Sequence, residues 1–481
     1  MRLLLVEDNN EFARIVEQRL RTTIPQCETV WAGSRDAALR EVAFSQHFDL
    51  VILDRRIPSS DGVLDDHAEH GWSVFQSVLE KSLGTPVWFL TGSEDPDFAA
   101  DLNNAQGRSE DLHGQRRHEP MYKVFWKRRI ADCLREVAAF AAQRQALDEI
   151  AIEFGAEPLP ATPEENRTIR LFARRHGGAS VVVSSLNGGL SNSRVLKVVA
   201  RHADGRAIMT AAAKVSTLAE IRAEEDRYRT EISRLTPGGF PQLCDTIDTG
   251  AGNTGGLFYG MVGDEVESLF DRIAADHPKL SQIPSEIQDI LRPWYAARRI
   301  EEVPVSRIRR RLIGDADLQR HRHELGRIDI GSMENHLVTA AICCQHGDLH
   351  CANVVFDGRG RAMLIDFGDT GESFASVDPV TLELSTVFHS QHARLAAGWP
   401  NEENMLAWGV PRDLTANCRF GDFITACRSW ADGVAGSPEE VVAVAYAFAM
   451  RQLKYRDTDK VLARALIRSC IAGLVSVRPD E

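Results

Sequence analysis

Long apolar runs are missing from this sequence of 481 residues, and their absence excludes one class of protein. No run reaches the roughly 18 apolar residues that suggest a membrane span. The stretch LLLV at 3–6 is too short for the core of a signal peptide, and Glu7 and Asp8 follow it directly. We therefore expect a cytoplasmic protein with no membrane partner.

Paired cysteine motifs and an excess of positive charge are missing as well. The nine cysteines are scattered, except for the adjacent Cys343 and Cys344, and no CxxC pairs recur. This pattern indicates reduced, mostly buried thiols instead of a disulfide framework or a zinc site. The net charge of −13 argues against the coating of nucleic acid, so we expect no direct nucleic-acid binding.

Residues 1–145 alternate short apolar runs with helical patterns, the rhythm of a doubly wound α/β sheet. Most of the runs are apolar throughout, as expected of parallel strands buried on both faces. They are LLLV, ETVWA, DLVILD, PVWFLT and MYKVFW. A final helix is expected over residues 130–153. Residues 146–166, which include the proline-rich FGAEPLPATPEEN, form a helical and proline-containing linker.

Polar residues stand at the carboxyl ends of these predicted strands, where open α/β sheets bind ligands. Glu7 and Asp8 follow the first strand and Asp54 closes the third. Thr91 closes the fourth strand and Lys127 follows the fifth. Grouped carboxylates repel one another unless a hard cation lies among them, and Mg²⁺ prefers such oxygen ligands. Asp54 is then placed as a nucleophile toward a phosphoryl donor, with Lys127 and the Thr91 hydroxyl to bind the incoming group.

The segments VEDN at 6–9, DLVILDRRIP at 49–58 and FLTG at 89–92, with Lys127, resemble the receiver domain of bacterial response regulators. The resemblance implies a flavodoxin-like fold for residues 1–145 and Asp54 as the phosphoacceptor. It also implies Mg²⁺ ligands and switch residues. The ligands would be Glu7, Asp8, Asp54 and the backbone carbonyl of Arg56, and the switch residues Thr91 and Lys127. A sensor histidine kinase or a small phosphodonor would supply the phosphoryl group.

Lys123 competes with Lys127 for the switch position. We prefer Lys127 because KRRIADCL resembles the helix start that usually follows this lysine. The chain departs from the receiver pattern at two places. DGVLDDHAE lengthens the loop after Asp54, and a polar stretch at 93–120 separates Thr91 from the fifth strand, where the usual fourth helix is hard to see.

From residue 167 the pattern changes to a β-rich lobe followed by a helical one. SVVVSSL, RVLKVVAR and IMTAAAKV read as an antiparallel meander, which the helix LAEIRAEEDRYRTEISRL and the strand GLFYGMV follow. Beyond residue 266 the chain is mostly helical, except for a hairpin with strands ANVVF and RAMLIDF around DGRG. This outline predicts an α+β bilobal kinase-like domain, with its N-lobe at 167–265 and its C-lobe at 266–481.

The segments QHGDLHCANVVF at 345–356 and LIDFGD at 364–369 bring acidic residues to that hairpin. A turn centred near 358–359 puts position 353 opposite position 364. Asp366 is then a diagonal neighbour of Asn353, within roughly 8 Å, and Asp348 lies on the loop that enters the same corner. Phosphoryl transfer needs these parts, because a carboxylate must deprotonate the attacking hydroxyl and oxygen ligands must hold Mg²⁺.

HGDLHxxN followed by IDFG resembles the aminoglycoside phosphotransferase and choline kinase group of the kinase-like superfamily, over residues 170–475. The resemblance implies ATP and Mg²⁺ as cofactors and Asp348 as the catalytic base, with Asn353 and Asp366 as Mg²⁺ ligands. His346 reads as a structural residue that braces the loop. Asp378, before TLELSTVF, reads as a structural helix N-cap.

Lys214 stands on the third strand of the meander, where this superfamily places its phosphate-binding lysine. A helical glutamate should pair with it, and the apolar periodicity of the helix leaves Glu224 and Glu225 as open alternatives. NGGLSNS is the candidate phosphate loop, and YGMVGDE at 259–265 is the candidate hinge for adenine. The candidate ATP-binding residues are Gly188, Gly189, Ser191, Asn192, Lys214 and Met261.

A basic cluster, SRIRRRL at 306–312 and QRHRHE at 319–324, falls between the hinge and the catalytic loop. A solvated helix face is its ordinary explanation. If the cluster instead faces the acceptor site, it would repel a polycation such as an aminoglycoside and suit an anionic acceptor or an acidic protein surface.

We hypothesise a two-component signalling protein in which phosphorylation of Asp54 regulates an ATP-dependent phosphotransferase. Its acceptor would be an unidentified alcohol-type molecule or protein. One alternative is a catalytically silent, nucleotide-binding pseudokinase that acts as a scaffold. Another is a kinase that phosphorylates its own chain or a protein bound to it. The sequence leaves a homodimer open.

Overall fold

The computed structural model describes residues 1–44, 47–82, 84–92, 109–155, 161–185, 194–261, 267–395 and 398–475. Contacts divide the chain into two compact units. One contains Met1–Glu225 and Gln242–Met261, and the other contains Asp226–Pro241 and Val262–Glu481. Among the described residues, no helix combines the length and apolar character that crossing a bilayer takes.

The first unit begins with a parallel five-stranded sheet. Its strands are Arg2–Val6, Glu28–Ala32, Leu50–Asp54, Val87–Thr91 and Tyr122–Trp126, in the spatial order 2-1-3-4-5. The helices Asn10–Thr23, Arg35–Phe44, Ala68–Lys81 and Ile130–Asp148 accompany it. Leu5 and Ile52 belong to one buried cluster and Leu4 and Val51 to another, so alternate side chains of these strands supply separate cores. The predicted doubly wound receiver fold is confirmed.

Two regions of this domain depart from a plain receiver pattern. The lengthened loop after Asp54 is closed by an antiparallel bridge between Ile57 and His67. A short antiparallel pair, Ser109–Glu110 with Glu119–Pro120, precedes the fifth strand. Residues 93–108, where the fourth helix was hard to see, lie outside the described residues.

A second sheet of six strands completes the first unit. In spatial order its strands are Leu243–Ile247, Thr254–Gly260, Ala207–Thr217, Arg194–Arg201, Ser180–Ser185 and Ala151–Phe154. The last of these pairs in parallel with Ser180–Ser185, whereas the others pair antiparallel. The helix expected over 130–153 therefore ends earlier, at Asp148. The helix Pro163–Arg175 follows, with a capping box at Thr162, and the helix Leu218–Thr230 comes directly after the strand Ala207–Thr217.

The second unit is mainly helical, as the sequence predicts for the C-lobe. Its longer helices are Ile283–Tyr295, Val305–Leu312, Val377–Phe388, Gly421–Val434, Pro438–Gln452 and Lys460–Val475. Shorter ones are Leu269–Ala274, Asp315–His321, Gly331–Glu334, Glu402–Leu406 and Pro411–Leu414. Two small sheets accompany them, Glu267–Ser268 with Val354–Phe356 and Ala362–Leu364, and Arg299–Pro304 with Leu337–Gln345 and Gly371–Phe374. The predicted kinase-like α+β domain is confirmed.

The register of the hairpin at 354–364 differs by one residue from the sequence prediction. Val354, and not position 353, pairs with Leu364. The turn is longer than expected because Asp357 N donates to the carbonyl of Arg361, with Gly360 at a φ of +77°. The centre of the hairpin therefore lies at residue 359. Ile365 N donates to the carbonyl of Asn353 at 3.0 Å, so Asn353 faces the residue directly before Asp366.

Candidate functional sites

Three carboxylates meet at the carboxyl edge of the parallel sheet. Glu7, Asp8 and Asp54 each offer an oxygen that lies within 4.8 Å of the others. Glu7 and Asp54 are buried, whereas Asp8 is exposed. These positions follow from the sheet order, because the strands that end at Val6 and at Asp54 are direct neighbours.

A lysine bridges two of the carboxylates. Lys127 Nζ donates to Glu7 Oε1 at 2.8 Å and to Asp54 Oδ2 at 2.6 Å. Lys123, the alternative, instead bonds Glu136 at 2.9 Å and lies over the Trp88 ring. The geometry thus brings Lys127, rather than Lys123, to the acidic pocket.

Backbone groups complete the surroundings of this pocket. Arg56 N donates to Asp54 Oδ1 at 3.3 Å, and Asn9 N donates to Glu7 Oε1 at 3.2 Å. Thr91 is buried and ends the neighbouring strand, in which Leu90 pairs with Asp54. All of the predicted receiver-site residues therefore lie at this one edge of the sheet.

Burial controls the protonation of the pocket. Desolvation, reinforced by the charge of Asp54, raises the pKa of Glu7 to about 7. Burial likewise raises the pKa of Asp54, against the opposing effect of Lys127. Burial would lower the pKa of Lys127, but the charges of Asp54 and Glu7 outweigh it and the pKa is raised. The carboxylates thus oppose each other's ionisation, and Lys127 favours their charged forms.

The donor set fits a magnesium ion. Mg²⁺ takes oxygen ligands, of which one or two carboxylates usually come from the protein. Among the described residues, Glu7 Oε2 is buried and has no hydrogen-bond partner. A buried carboxylate oxygen without a donor is costly unless a cation meets it. The residues that would hold the ion are Glu7, Asp8 and Asp54.

The predicted lysine–glutamate pair lies in the second sheet of the first unit. Lys214 Nζ is 2.6 Å from Glu224 Oε2, and Tyr259 Oη donates to Glu224 Oε1 at 3.0 Å. Glu225 instead accepts a hydrogen bond from Thr246 Oγ1 at 3.0 Å. Of the two open alternatives, the structure therefore pairs Glu224 with Lys214.

The candidate phosphate loop falls outside the described residues. These are positions 186–193, which include Gly188, Gly189, Ser191 and Asn192. Of the candidate hinge, Met261 is described and half-buried, whereas 262–265 are not described.

The loop around Asp348 lies in the second unit. Asp348 Oδ1 accepts a hydrogen bond from Arg451 Nη2 at 3.0 Å, and Oδ2 lies 3.7 Å from His350 Nε2. Asn353 Nδ2 donates to the carbonyl of Asp348 at 2.9 Å. The guanidinium of Arg451 outweighs the effect of burial and lowers the pKa of Asp348, so this carboxylate is ionised near neutral pH.

The backbone brings Asp366 close to the same loop. Asp366 adopts the left-handed conformation, with φ 62° and ψ 66°, which is uncommon outside glycine. It follows directly on Ile365, the partner of Asn353. His346 Nε2 bonds the carbonyl of Ile365 at 2.9 Å, which agrees with the structural reading of this histidine.

Asp378 has a larger part in this loop than the sequence indicated. It is fully buried and accepts hydrogen bonds from the backbone N–H groups of His346 and Gly347, at 2.8 and 2.9 Å. The prediction that Asp378 is a helix N-cap is wrong, because Ser376 occupies that position. An aspartate followed by proline resembles a cap in sequence, and its long-range partners leave no local signal.

Arginines of the predicted basic cluster form ion pairs with acidic residues of the second unit. Arg309 is buried and pairs with Asp315 and Glu334. Arg310 pairs with Asp315 and Arg307 with Glu301. These contacts agree with the ordinary explanation for the cluster and give no support to a role in acceptor binding.

A comparison with protein-family models matches residues 182–409 to the phosphotransferase enzyme family. A comparison with curated proteins finds no match. Among solved structures, the receiver domain of a Francisella response regulator is 14% identical, covers 30% of this chain and 98% of its own, and has a TM-score of 0.22.

Two further solved structures are similar to this chain over a larger share of its length. A thermostable mutant of aminoglycoside phosphotransferase APH(4)-Ia, with ADP and hygromycin B, is 12% identical and covers 65% of this chain and 99% of its own, with a TM-score of 0.34. Choline kinase LicA from Streptococcus pneumoniae is 14% identical and covers 61% of this chain and 93% of its own, with a TM-score of 0.31.

The assignment rests on the family model for the later domain, and on the sheet order and the acidic pocket for the first. The chain joins a receiver-like N-terminal domain to a domain that matches the phosphotransferase enzyme family.

Proposed function

We propose that the chain is an ATP- and Mg²⁺-dependent phosphotransferase with an alcohol-type acceptor, regulated by phosphorylation of Asp54. The observation that carries the proposal is the loop at 346–353. Its ionised Asp348 is held by Arg451, and Asn353 links it to the strand that leads into Asp366.

The residues of this loop and those outside it have separate tasks in the proposed mechanism. Asp348 Oδ2 accepts the proton of the acceptor hydroxyl as that oxygen attacks the γ-phosphorus. Asn353 and Asp366 would hold Mg²⁺ through their side-chain oxygens, and the ion would neutralise charge on the phosphates. Asp378 fixes the backbone of the loop through His346 and Gly347, so the carboxylate keeps its orientation. Lys214, held by Glu224, orients the phosphates of ATP.

The regulatory part of the proposal rests on contacts within the first unit. Asp49, which precedes the third receiver strand, lies between two arginines from outside that strand. It forms an ion pair with Arg167 of the helix Pro163–Arg175 and lies 3.6 Å from Arg144 Nη2 of the helix Ile130–Asp148. All three side chains are largely buried, so these pairs are costly to break.

Close backbone contacts support the same junction. Gly84 N donates to the carbonyl of Gly252 at 3.2 Å, and a Cβ on Gly84 would lie only 2.7 Å from that oxygen. Arg175 bonds Asp111 of the receiver and Asp245 of the second sheet. The receiver is thus packed firmly against the sheet that carries Lys214.

The helix Ile130–Asp148 links the acidic pocket to this junction. Lys127, just before its start, binds Asp54, and Arg144 near its end faces Asp49. A phosphoryl group on Asp54 adds up to about two negative charges beside Lys127. We infer that this new charge changes the position of Lys127 and, through the helix, the junction with the second sheet.

The deciding experiment compares the wild type with Asp348→Asn. Each protein is incubated with γ-labelled ATP, Mg²⁺ and a panel of alcohols, and Asp54 is phosphorylated separately with acetyl phosphate. We expect Asp348→Asn to abolish ATP-dependent transfer and to leave Asp54 phosphorylation intact. Equal transfer by the variant refutes the assignment of the base. ATP binding by the wild type, without any product, favours the scaffold instead.

A further inference from the structure

The two oxygens of the Asp348 carboxylate face different neighbours. Oδ1 accepts from Arg451 Nη2 at 3.0 Å, and Oδ2 lies 3.7 Å from His350 Nε2. The Asp348 side chain is 30% exposed and that of Arg451 is 19% exposed, so both can be reached by a small molecule. Oδ2 is therefore the oxygen left to receive a proton.

Arg451 is held firmly beside the carboxylate. It comes from the last turn of the helix Pro438–Gln452, and its Nε donates to Tyr455 Oη at 3.1 Å. Within the described part of the chain, Arg451 Nη1 donates to no protein atom. A guanidinium presents its donors as a planar fork that matches carboxylate and phosphate oxygens. One nitrogen of this guanidinium is thus engaged by Asp348, and Nη1 is left to bind another anion.

The other basic groups near this carboxylate are histidines. Burial lowers the pKa of His350. It also lowers the pKa of His389 to about 4, and the centre of the His389 ring lies 4.8 Å from that of the His350 ring. His346 faces the loop backbone through its bond to Ile365. Among the described residues, Arg451 is therefore the cation that forms a hydrogen-bonded ion pair with Asp348.

We propose that Arg451 is a specificity-determining residue that binds an anionic group on the acceptor, so that the substrate is an alcohol carrying a carboxylate or a phosphate near its hydroxyl. This inference rests on the proposed function and names its substrate class. The anionic group binds the Nη1 edge of Arg451 while the hydroxyl meets Asp348 Oδ2. A cationic alcohol would place like charges side by side at Arg451.

The chemical step balances with ATP as the phosphoryl donor. The acceptor oxygen forms a bond to the γ-phosphorus, and the bond from that phosphorus to the β–γ bridging oxygen breaks. ADP leaves with the electron pair of the broken bond, and Asp348 Oδ2 takes the hydroxyl proton. Arg451 takes no part in the proton transfer, since guanidinium stays protonated.

The test uses four small alcohols of different charge: ethanolamine, glycerol, glycerate and glycerol 3-phosphate. Transfer from γ-labelled ATP is measured for the wild type, Arg451→Gln, Arg451→Lys and the control Arg456→Gln, an exposed neighbour. We expect the wild type to prefer glycerate or glycerol 3-phosphate over glycerol by about tenfold or more in kcat/KM. Comparison of these two anions distinguishes a carboxylate from a phosphate.

Arg451→Gln should reduce this preference to about one, mainly by raising KM for the anionic alcohol, and Arg451→Lys should retain part of it. Arg456→Gln should keep the wild-type preference. An unchanged preference in Arg451→Gln overturns the proposal, as do a preference for ethanolamine and the absence of transfer to either anion. If Arg451→Gln is unfolded by circular dichroism, Arg451→Lys decides, and an unchanged preference there overturns the proposal. Transfer that survives Asp348→Asn refutes the proposed function itself.

Discussion

Lys127 Nζ donates to Asp54 Oδ2 at 2.6 Å, although the two residues are separated by 73 positions in the sequence. The ammonium group binds one oxygen of each of two carboxylates, Glu7 and Asp54, that would hold a metal ion. The pocket therefore holds a cation of its own, and an incoming Mg²⁺ has to compete with it.

This competition predicts that Lys127→Ala binds Mg²⁺ more tightly than the wild type. Removal of the ammonium leaves Glu7 and Asp54 with uncompensated charge, so the affinity should rise by about tenfold or more. Isothermal titration with Mg²⁺ measures the change. Lys123→Ala is the matched control, since Lys123 pairs with Glu136 instead, and its affinity should equal that of the wild type. Weaker binding by Lys127→Ala would contradict the competition.

Mg²⁺ binding should strengthen as the pH rises through about 7, because the pKa of Glu7 is raised to about 7. Below that pH a proton occupies the carboxyl and must leave before a metal binds. We expect the affinity to fall by up to about tenfold per pH unit below neutrality. Titrations on either side of neutral pH test this, and Glu7→Gln should flatten the dependence.

The same shift has a consequence for the metal-free protein. The pKa of Glu7 lies above its ordinary value of 4.5. The protonated Glu7 side chain therefore contributes fully to the folding stability below pH 4.5, and this contribution is lost as the pH rises through about 7. Urea unfolding in the presence of a chelator should show this loss in the wild type and a smaller one in Glu7→Gln.

Glu224→Gln should impair ATP-dependent transfer far more than Glu225→Gln. Glu224 binds Lys214, whereas Glu225 accepts from Thr246, although the two glutamates are adjacent. Loss of the charge that orients the lysine should reduce transfer by about tenfold or more. Rates with γ-labelled ATP decide between them, and an equal loss in both variants would contradict the pairing.

Asp49→Asn should destabilise the first unit by about 3 kcal/mol, because it leaves Arg144 and Arg167 buried beside a neutral group. The pKa of Asp49 is lowered to about 2, since the arginines outweigh the effect of burial. Its stabilising effect is thus present above the ordinary value of 3.8 and is lost as the pH falls toward 2. A double-mutant cycle with Arg167→Met, followed by urea unfolding, should show a coupling that disappears at acid pH.

Asp378→Ala should destabilise the second unit by about 2–5 kcal/mol, because two buried N–H groups lose their acceptor. The catalytic loop would lose its anchor, so transfer should fall as well. Urea unfolding and transfer assays check both effects. Asp432→Ala, at an exposed position in the helix Gly421–Val434, should leave both unchanged.

The parts of the fold that were predictable have strong local signals. Strands buried on both faces are apolar throughout, and polar residues at their ends mark the edge where Asp54 lies. The strand Ala151–Phe154 was missed because it is short and mostly exposed, and pairing with Ser180–Ser185 alone defines it. The helical pattern of the preceding residues continues into this strand, so the sequence predicted a helix as far as residue 153.

The site shows the same limit. Lys214 and Asp348 stand in recognisable segments, but periodicity could not separate Glu224 from Glu225, because both lie near one helix stripe. Arg451 is 103 positions away from Asp348, and no local sequence pattern indicated that the two residues would be in contact. The hairpin register failed by one residue because the turn contains one residue more than its sequence suggested.

The last receiver helix contributes Leu147 to the buried cluster of the following sheet, with Ile150 just behind it. A chain cut in this region would expose apolar side chains on one fragment and leave an unfilled cavity in the core of the other. The receiver-like domain of this protein therefore cannot be exchanged for another receiver domain by cutting the chain between this helix and the following sheet. A functional chimera would have to keep the C-terminal end of this helix together with the sheet against which it packs.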